Sequence, residues 1–157
     1  GRIIIPSYNI NGKPNYFVTR TYCYQKPKYL NPDADKFSII PNENKINYDS
    51  TIYLVEGMFD HIVVPNSIPL LGLQISDKLF DELQEKANSY VVVCVDGEAY
   101  EDAVKLYKQL DTHNLSGRVK VVKTGTNKDP SKIYELLGKR GIIKLLKSSV
   151  KLEEIEI

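Results

Sequence analysis

Tyr90-Val91-Val92-Val93-Cys94-Val95-Asp96-Gly97-Glu98 is the stretch on which the fold of this 157-residue chain turns. Six residues without a polar side chain that needs water mark a strand covered on both faces, as in the interior of a parallel sheet. The run passes directly into Asp96-Gly97-Glu98. Working outward, the same grammar appears twice more. Upstream, Thr51-Ile52-Tyr53-Leu54-Val55 is a short apolar run ending at Glu56-Gly57; downstream, Val119–Val122 is another, followed by Asp129-Pro130. Helical spacing fills the gaps. A short helix fits Gly57 to about Asn66, followed by an extended piece at Ile68–Leu71. Ser76 is placed to cap a helix with Leu79, Phe80 and Leu83 on one face. Ala103, Leu106, Tyr107 and Leu110 define a helix from about Ala99 to His113. Asp129 as N-cap and Pro130 at the first position open another, and the residues from Gly141 onward read as helical, then irregular. Alternation of this kind predicts an α/β fold with a mainly parallel sheet flanked by helices.

The first 48 residues read differently. Residues 2–5 and about 15–22 have strand character, with Asn11-Gly12 as a turn between them. Pro27 to Pro41 is polar and punctuated by proline, so it predicts loop with a short strand near Phe37–Ile40. Arg2, Lys13, Arg20, Lys26 and Lys28 are the charges of residues 1–32, with no acid among them; that is +5 in a chain of net charge +1, leaving −4 for the remainder. Tyr8, Tyr16, Tyr22, Tyr24 and Tyr29 are interleaved with these cations. Basic side chains neutralise phosphates and aromatic faces stack on bases, although a tyrosine-rich sheet with a solvated basic face has the same composition. The expected organisation is therefore a basic, β-rich segment at 1–48, an α/β domain at 49–140, and a C-terminal helix and tail at 141–157.

Several classes are excluded early. No apolar run approaches the roughly 18 residues that cross a bilayer, so no membrane partner is expected, and the N-terminus lacks signal-peptide organisation. Cys23 and Cys94 are far apart, as are His61 and His113, so no zinc site is expected and the cysteines read as free thiols of a reducing cytoplasm. His61 reads as a helix-surface residue.

In open parallel sheets, functional groups collect at the carboxyl ends of strands. Glu56, Asp96, Glu98 and Asp129 all stand there. Unpaired carboxylates brought together repel one another and take up protons; a hard divalent cation resolves the conflict, since Mg²⁺ and Mn²⁺ favour carboxylate oxygens, water and substrate phosphates. Such a site suits phosphoryl or nucleotidyl transfer. Taken singly, each has a plainer reading: Glu56-Gly57 and Asp96-Gly97 as turns, Asp129 as an N-cap. The ordered combination favours the metal site.

These residues carry a resemblance. Val55-Glu56-Gly57-Met58-Phe59-Asp60 resembles the Glu-Gly motif of Toprim domains, and Val95-Asp96-Gly97-Glu98-Ala99 resembles their Asp-x-Asp motif. Lys128-Asp129-Pro130 is similar to the Asp-Pro segment of bacterial- and phage-type DNA primases, and Leu71-Gly72-Leu73 to a Leu-Gly element between the first two. Arg2-Ile3-Ile4-Ile5-Pro6, Phe17-Val18-Thr19-Arg20 and Pro27-Lys28-Tyr29-Leu30-Asn31 resemble the stretch that precedes Toprim in those primases. The resemblance runs from about residue 2 to 138. It implies a Toprim fold in which Glu56, Asp96, Glu98 and Asp129 bind Mg²⁺ or Mn²⁺, with Glu56, Asp96 and Glu98 catalytic. It implies Arg20, Lys28 and Lys128 on the surface that handles template or nucleotide, and Gly57 and Asp60 in support of the turn. The implied activity is RNA primer synthesis from nucleoside triphosphates on single-stranded DNA during replication, in a bacterial or phage-infected cytoplasm. A replicative helicase is the implied partner of regions outside this chain. The match begins late within the preceding subdomain, so a core fragment inactive by itself is expected. Three positions depart from the pattern: Glu98 stands for the usual second Asp, Tyr100 for Gly, and Ser131 for a second acid after Asp-Pro.

Other readings fit less of the chain. Asn127-Lys128-Asp129 resembles a guanine-recognition motif, but no glycine-rich phosphate loop accompanies it. A receiver domain needs paired acids near its start, and a topoisomerase needs a second domain with a catalytic tyrosine. A Toprim nuclease, or a degenerate Toprim module that binds nucleic acid or a partner, remains an alternative on the acidic motifs alone.

Overall fold

The computed structural model describes residues 1–122 and 129–152. Its centre is a four-stranded parallel sheet in the order β4-β3-β5-β6, formed by β3 (Ile52–Val55), β4 (Ser67–Pro69), β5 (Val91–Cys94) and β6 (Val119–Val121). Register places Leu54 opposite both Ile68 and Val93, and Val93 opposite Val121. Alternate side chains of these strands point to opposite faces, and each face has its own core. Ile52, Leu54, Val91, Val93, Val119 and Val121 pack with Leu79 and Leu83 of α2 (Asp77–Lys86) and Leu106 and Leu110 of α3 (Tyr100–Leu110). Val55, Val92, Cys94 and Val122 pack with Val64, which follows α1 (Met58–Val63), and with Ile133, Ile142 and Leu146 of α4 (Pro130–Lys147). The unbroken apolar run of β5 follows from this: neither face of the strand meets water.

Local signals set the helix starts. Ser76 Oγ accepts the Leu79 amide at 3.1 Å, capping α2. Asp129 Oδ1 accepts the Lys132 amide at 2.6 Å with Pro130 in the first turn, capping α4. Gly138, at φ 60° and ψ −158°, interrupts α4 with a kink, and the helix then continues past residue 141 to Lys147. Val150 pairs antiparallel with Val121 beyond it. No helix among the described residues is long and apolar enough to cross a membrane.

β1 (Arg2–Tyr8) and β2 (Pro14–Thr21) form a separate antiparallel hairpin. Its turn contains the expected Asn11-Gly12, with Gly12 at φ 73°, and is organised by Asn9, whose Oδ1 accepts the amides of Asn11 and Lys13. The segment after it lies back along β2: Thr21 N donates to the Lys28 carbonyl, Thr19 Oγ1 to the Leu30 carbonyl, and Thr19 N to Asn31 Oδ1. The Pro-Lys-Tyr-Leu-Asn string is thus an edge laid beside the hairpin.

Three local expectations fail for identifiable reasons. The helix expected to reach about Asn66 ends at Val63, because Val64 is extended and Asn66 takes a left-handed φ of 45°. Residues Lys36–Ser38 form a single 3₁₀ turn, not a strand, because Asp35 Oδ1 captures the Phe37 amide at 2.9 Å. The helix expected to reach His113 ends at Leu110; Thr112 N turns back to the Leu110 carbonyl and His113 takes a left-handed φ of 48°.

Candidate active site at the strand ends

β3 delivers Glu56, β5 delivers Asp96, and the segment after β6 delivers Asp129, all to one edge of the sheet. They meet at an open cavity of about 550 Å³, whose walls include these three carboxylates and Asp60. The carboxylates sense one another. Burial, followed by the charges of Asp96 and Asp129, pushes the Glu56 carboxyl above its usual range. Asp60, buried on α1, is raised to about 6, mainly by desolvation. The Ser131 amide, donating to Asp60 Oδ1 at 3.0 Å, opposes the shift, and the charges of Asp129 and Glu56 add to it. That one hydrogen bond ties α1 to the start of α4 across 71 residues of sequence.

Each acid also has local work. Asp129 Oδ1 receives the Ser131 hydroxyl at 2.8 Å as well as the Lys132 amide. Asp96 Oδ1 accepts the Glu98 amide at 3.2 Å, forming the turn that leads into α3. The Glu56 carbonyl accepts the Gly72 amide at 3.3 Å, bringing Leu71-Gly72 to the cavity wall. Leu71 sits at φ 54°, a left-handed conformation that β-carbon sterics disfavour. Lys36 Nζ donates to its carbonyl at 2.8 Å and fastens it there.

The rest of the lining comes from the hairpin and the segment beside it, with Tyr16, Arg20, Tyr29 and Asn31, and from Lys36. Arg20 has its guanidinium carbon 4.8 Å from the Phe59 ring centroid and 5.9 Å from that of Tyr29. The cavity is therefore bipolar, with carboxylates on the sheet edge and cations with aromatic rings facing them. The ionisable side chains on the acidic side, among the described residues, are carboxylates, the oxygen donors that a hard cation favours. No three carboxylate, histidine or cysteine side chains among the described residues converge into a cage for a metal ion.

No family model matches the chain. The DNA primase of Thermotoga maritima is 25% identical over 162 residues, taking in 95% of this chain and 28% of that protein. The Aquifex aeolicus primase (zinc-binding and RNA polymerase domains) superposes with a TM-score of 0.74 at 25% identity, over 98% of this chain and 41% of that one. A primase catalytic domain bound to single-stranded DNA gives a TM-score of 0.78 at 22% identity, over 96% and 54%. The chain carries the DNA primase catalytic-core fold. It spans little more than a quarter of the length of the Thermotoga primase.

Within the primase fold the expected site residues divide. Glu56, Gly57, Asp60, Asp96, Asp129 and Arg20 line the cavity. Glu98 is exposed and stands outside it. Lys28 also lies off the cavity, its Nζ 5.7 Å from the Tyr29 ring centroid. Lys128 falls outside the described residues.

His61 corrects the sequence reading. It is half-buried, with Nδ1 3.0 Å from Ser67 Oγ and Nε2 3.0 Å from Asn42 Nδ2, and burial lowers its pKa. Ser67 Oγ donates to the Val64 carbonyl, so the ring is satisfied as the neutral Nδ1–H tautomer. Helical periodicity could not have foreseen this, because the partner Asn42 comes from a loop 19 residues away.

Lys36, Phe59 and Asn31 were missed as wall residues. Asn31 and Phe59 sit inside motifs that were legible, whereas nothing local distinguishes Lys36 from a surface lysine.

Proposed function

We propose that this chain supplies the metal-dependent nucleotidyl-transfer centre of a bacterial- or phage-type primase, making RNA primers on a single-stranded DNA template from nucleoside triphosphates. The observation that carries this is the convergence of Glu56, Asp96 and Asp129 from three strand ends on one cavity whose facing wall bears Arg20. The Toprim pattern of these residues and the primases similar to the chain, one of them bound to single-stranded DNA, support the same reading.

Glu56, Asp96 and Asp129, with Glu98 as the outermost member, are the proposed holders of Mg²⁺ or Mn²⁺. The raised Glu56 pKa, set first by desolvation and then by the charges of Asp96 and Asp129, fits that assignment, because a cation would offset both. An open arrangement without a full cage also suits Mg²⁺, which keeps several waters and uses one or two carboxylates plus substrate phosphates. When bound, the metal neutralises developing charge on the transferring group. The chain's own contribution is placement. Asp60 holds the start of α4, and hence Asp129, against the Glu-Gly turn through the Ser131 amide. Arg20 presents a guanidinium suited to phosphate oxygens, Lys28 adds to the same basic segment, and Lys128 is a proposed contact to template or nucleotide.

In this organisation residues 1–48 close the preceding basic subdomain, 49–140 form the Toprim unit and 141–157 the C-terminal helix and tail. A replicative helicase is the proposed partner. One observation favours a second reading: Glu98 stands outside the cavity, as in a degenerate module that binds nucleic acid or a partner without catalysis.

Calorimetry with Mn²⁺, in the presence and absence of GTP, on wild type and Asp96→Asn separates the two. Mn²⁺ binding that strengthens with GTP and is lost in the variant is the expected result. Absence of binding in wild type overturns the polymerase-site reading and leaves the degenerate module.

A further inference from the structure

Arg20 projects from the last turn of pairing in β2 and is the only cation among the described residues set against two aromatic rings, Tyr29 on its own side of the cavity and Phe59 on the other. Its guanidinium forms no hydrogen bond or ion pair among the described residues, although four carboxylates line the same cavity. The charge is therefore held by ring faces while its donors stay uncommitted. A planar guanidinium prepared in this way is suited to an anion with two oxygens in reach.

Phe59 is unusual in the complementary sense. It lies in the first turn of α1, between buried Met58 and buried Asp60, yet its ring joins neither of the two hydrophobic cores. The ring is half-buried and gives its face to a cation from the hairpin. A core role would have placed an apolar side chain under the sheet. This one bridges the two walls instead.

We propose that Phe59 is a positioning residue: its ring holds the Arg20 guanidinium at the cavity so that Arg20 engages the phosphates of a nucleoside triphosphate. This rests on the nucleotide-site reading above and adds the residue that sets the affinity of that site through Arg20. Tyr29 flanks the same cation at longer range and steadies its second side.

The test is calorimetric binding of GTP with Mn²⁺ to wild type, Phe59→Leu, Phe59→Tyr, Arg20→Ala and the Phe59→Leu/Arg20→Ala double variant. Cation–π contacts of this kind are worth roughly three- to tenfold in affinity, so Phe59→Leu is expected to weaken GTP binding by about that factor. Phe59→Tyr keeps the ring face and is expected to bind as wild type does. In the Arg20→Ala background, Phe59→Leu is expected to cause no further loss, since coupled residues are not additive. Loss of the same size in both backgrounds, or failure of Phe59→Tyr to retain affinity, overturns the positioning role while leaving the nucleotide site intact. Wild type that does not bind GTP with Mn²⁺ overturns both.

Discussion

The two walls of the cavity are held in place by different physics. The acidic edge grows from strands whose side chains are covered on both faces, so Glu56 and Asp96 are anchored by hydrophobic burial immediately behind them: Val55, Val93, Cys94 and Val95 are at most 2% exposed. The hairpin wall has little of that support. Ile4 is 65% exposed, and an isolated two-stranded ribbon is marginal in water. It is joined to the rest of the chain largely by polar contacts. Ser7 Oγ accepts the Asn42 amide at 3.1 Å and donates to Asn15 Oδ1, Asn15 Nδ2 donates to the Ile40 carbonyl, and the Ile10 amide donates to Glu43 Oε2. Burial is non-directional and tolerant, whereas hydrogen bonds fix orientation and fail when one partner is lost. The carboxylates are thereby set as a rigid edge, and the cations face them through a hinge of specific contacts.

The largest effect should come from the rigid side. Leu54 is fully buried between β4 and β5, so Leu54→Ala is expected to cost about 2–5 kcal/mol in urea unfolding. Ile4→Ala on the hairpin should stay within about 0.5 kcal/mol. Equal losses would erase the contrast between the walls.

Asp60 sharpens it through pH. Its folded pKa of about 6 lies above the ordinary 3.8, so between these values the native state holds more protons than the unfolded chain and stability falls as pH rises. Below about pH 4 no penalty remains, and above about pH 6 it is complete, on the order of 3 kcal/mol. Asp60→Asn keeps an oxygen for the Ser131 amide and removes the charge, so it should be more stable than wild type at pH 8 and show a flatter profile between pH 4 and 6. A variant less stable than wild type at pH 8 would show that the ionised carboxylate is held favourably.

On the hairpin side, Ser7→Ala leaves the Asn42 amide and Asn15 Oδ1 without their shared partner, in a fully buried position. A loss of about 1–3 kcal/mol is expected in the same unfolding assay, and one near zero would mean that the joint does not depend on this hydroxyl. The smallest effect should be at the exposed Lys105–Asp102 pair on α3. Lys105→Ala is expected to change stability by less than about 0.5 kcal/mol and to leave both walls untouched; a larger change would point to long-range coupling that surface pairs rarely show.

Legibility followed the same division. β3, β5 and β6, and the acids at their ends, were readable because buried strands write themselves as short apolar runs and an acid after such a run is conspicuous. The N-caps Ser76 and Asp129 were readable because capping is local. Phe37–Ile40 misled because an aspartate two residues before Phe37 redirected the backbone. His61 misled because its partners, Asn42 and Ser67, come from a loop and from the next strand.

By itself, then, the amino-acid order determined most of the strands and helices, that the central sheet would be mainly parallel, and that Glu56, Asp96 and Asp129 would each follow a buried strand. Those are consequences of periodicity and of chain direction in an α/β alternation. Only the tertiary structure decided that Glu98 stands outside the cavity, that Asp60 is buried and raised to about 6, that Lys36 fastens Leu71, and that Arg20 rests on Phe59. Each of these depends on the distance between segments far apart in sequence, which local pattern does not encode and which packing alone sets.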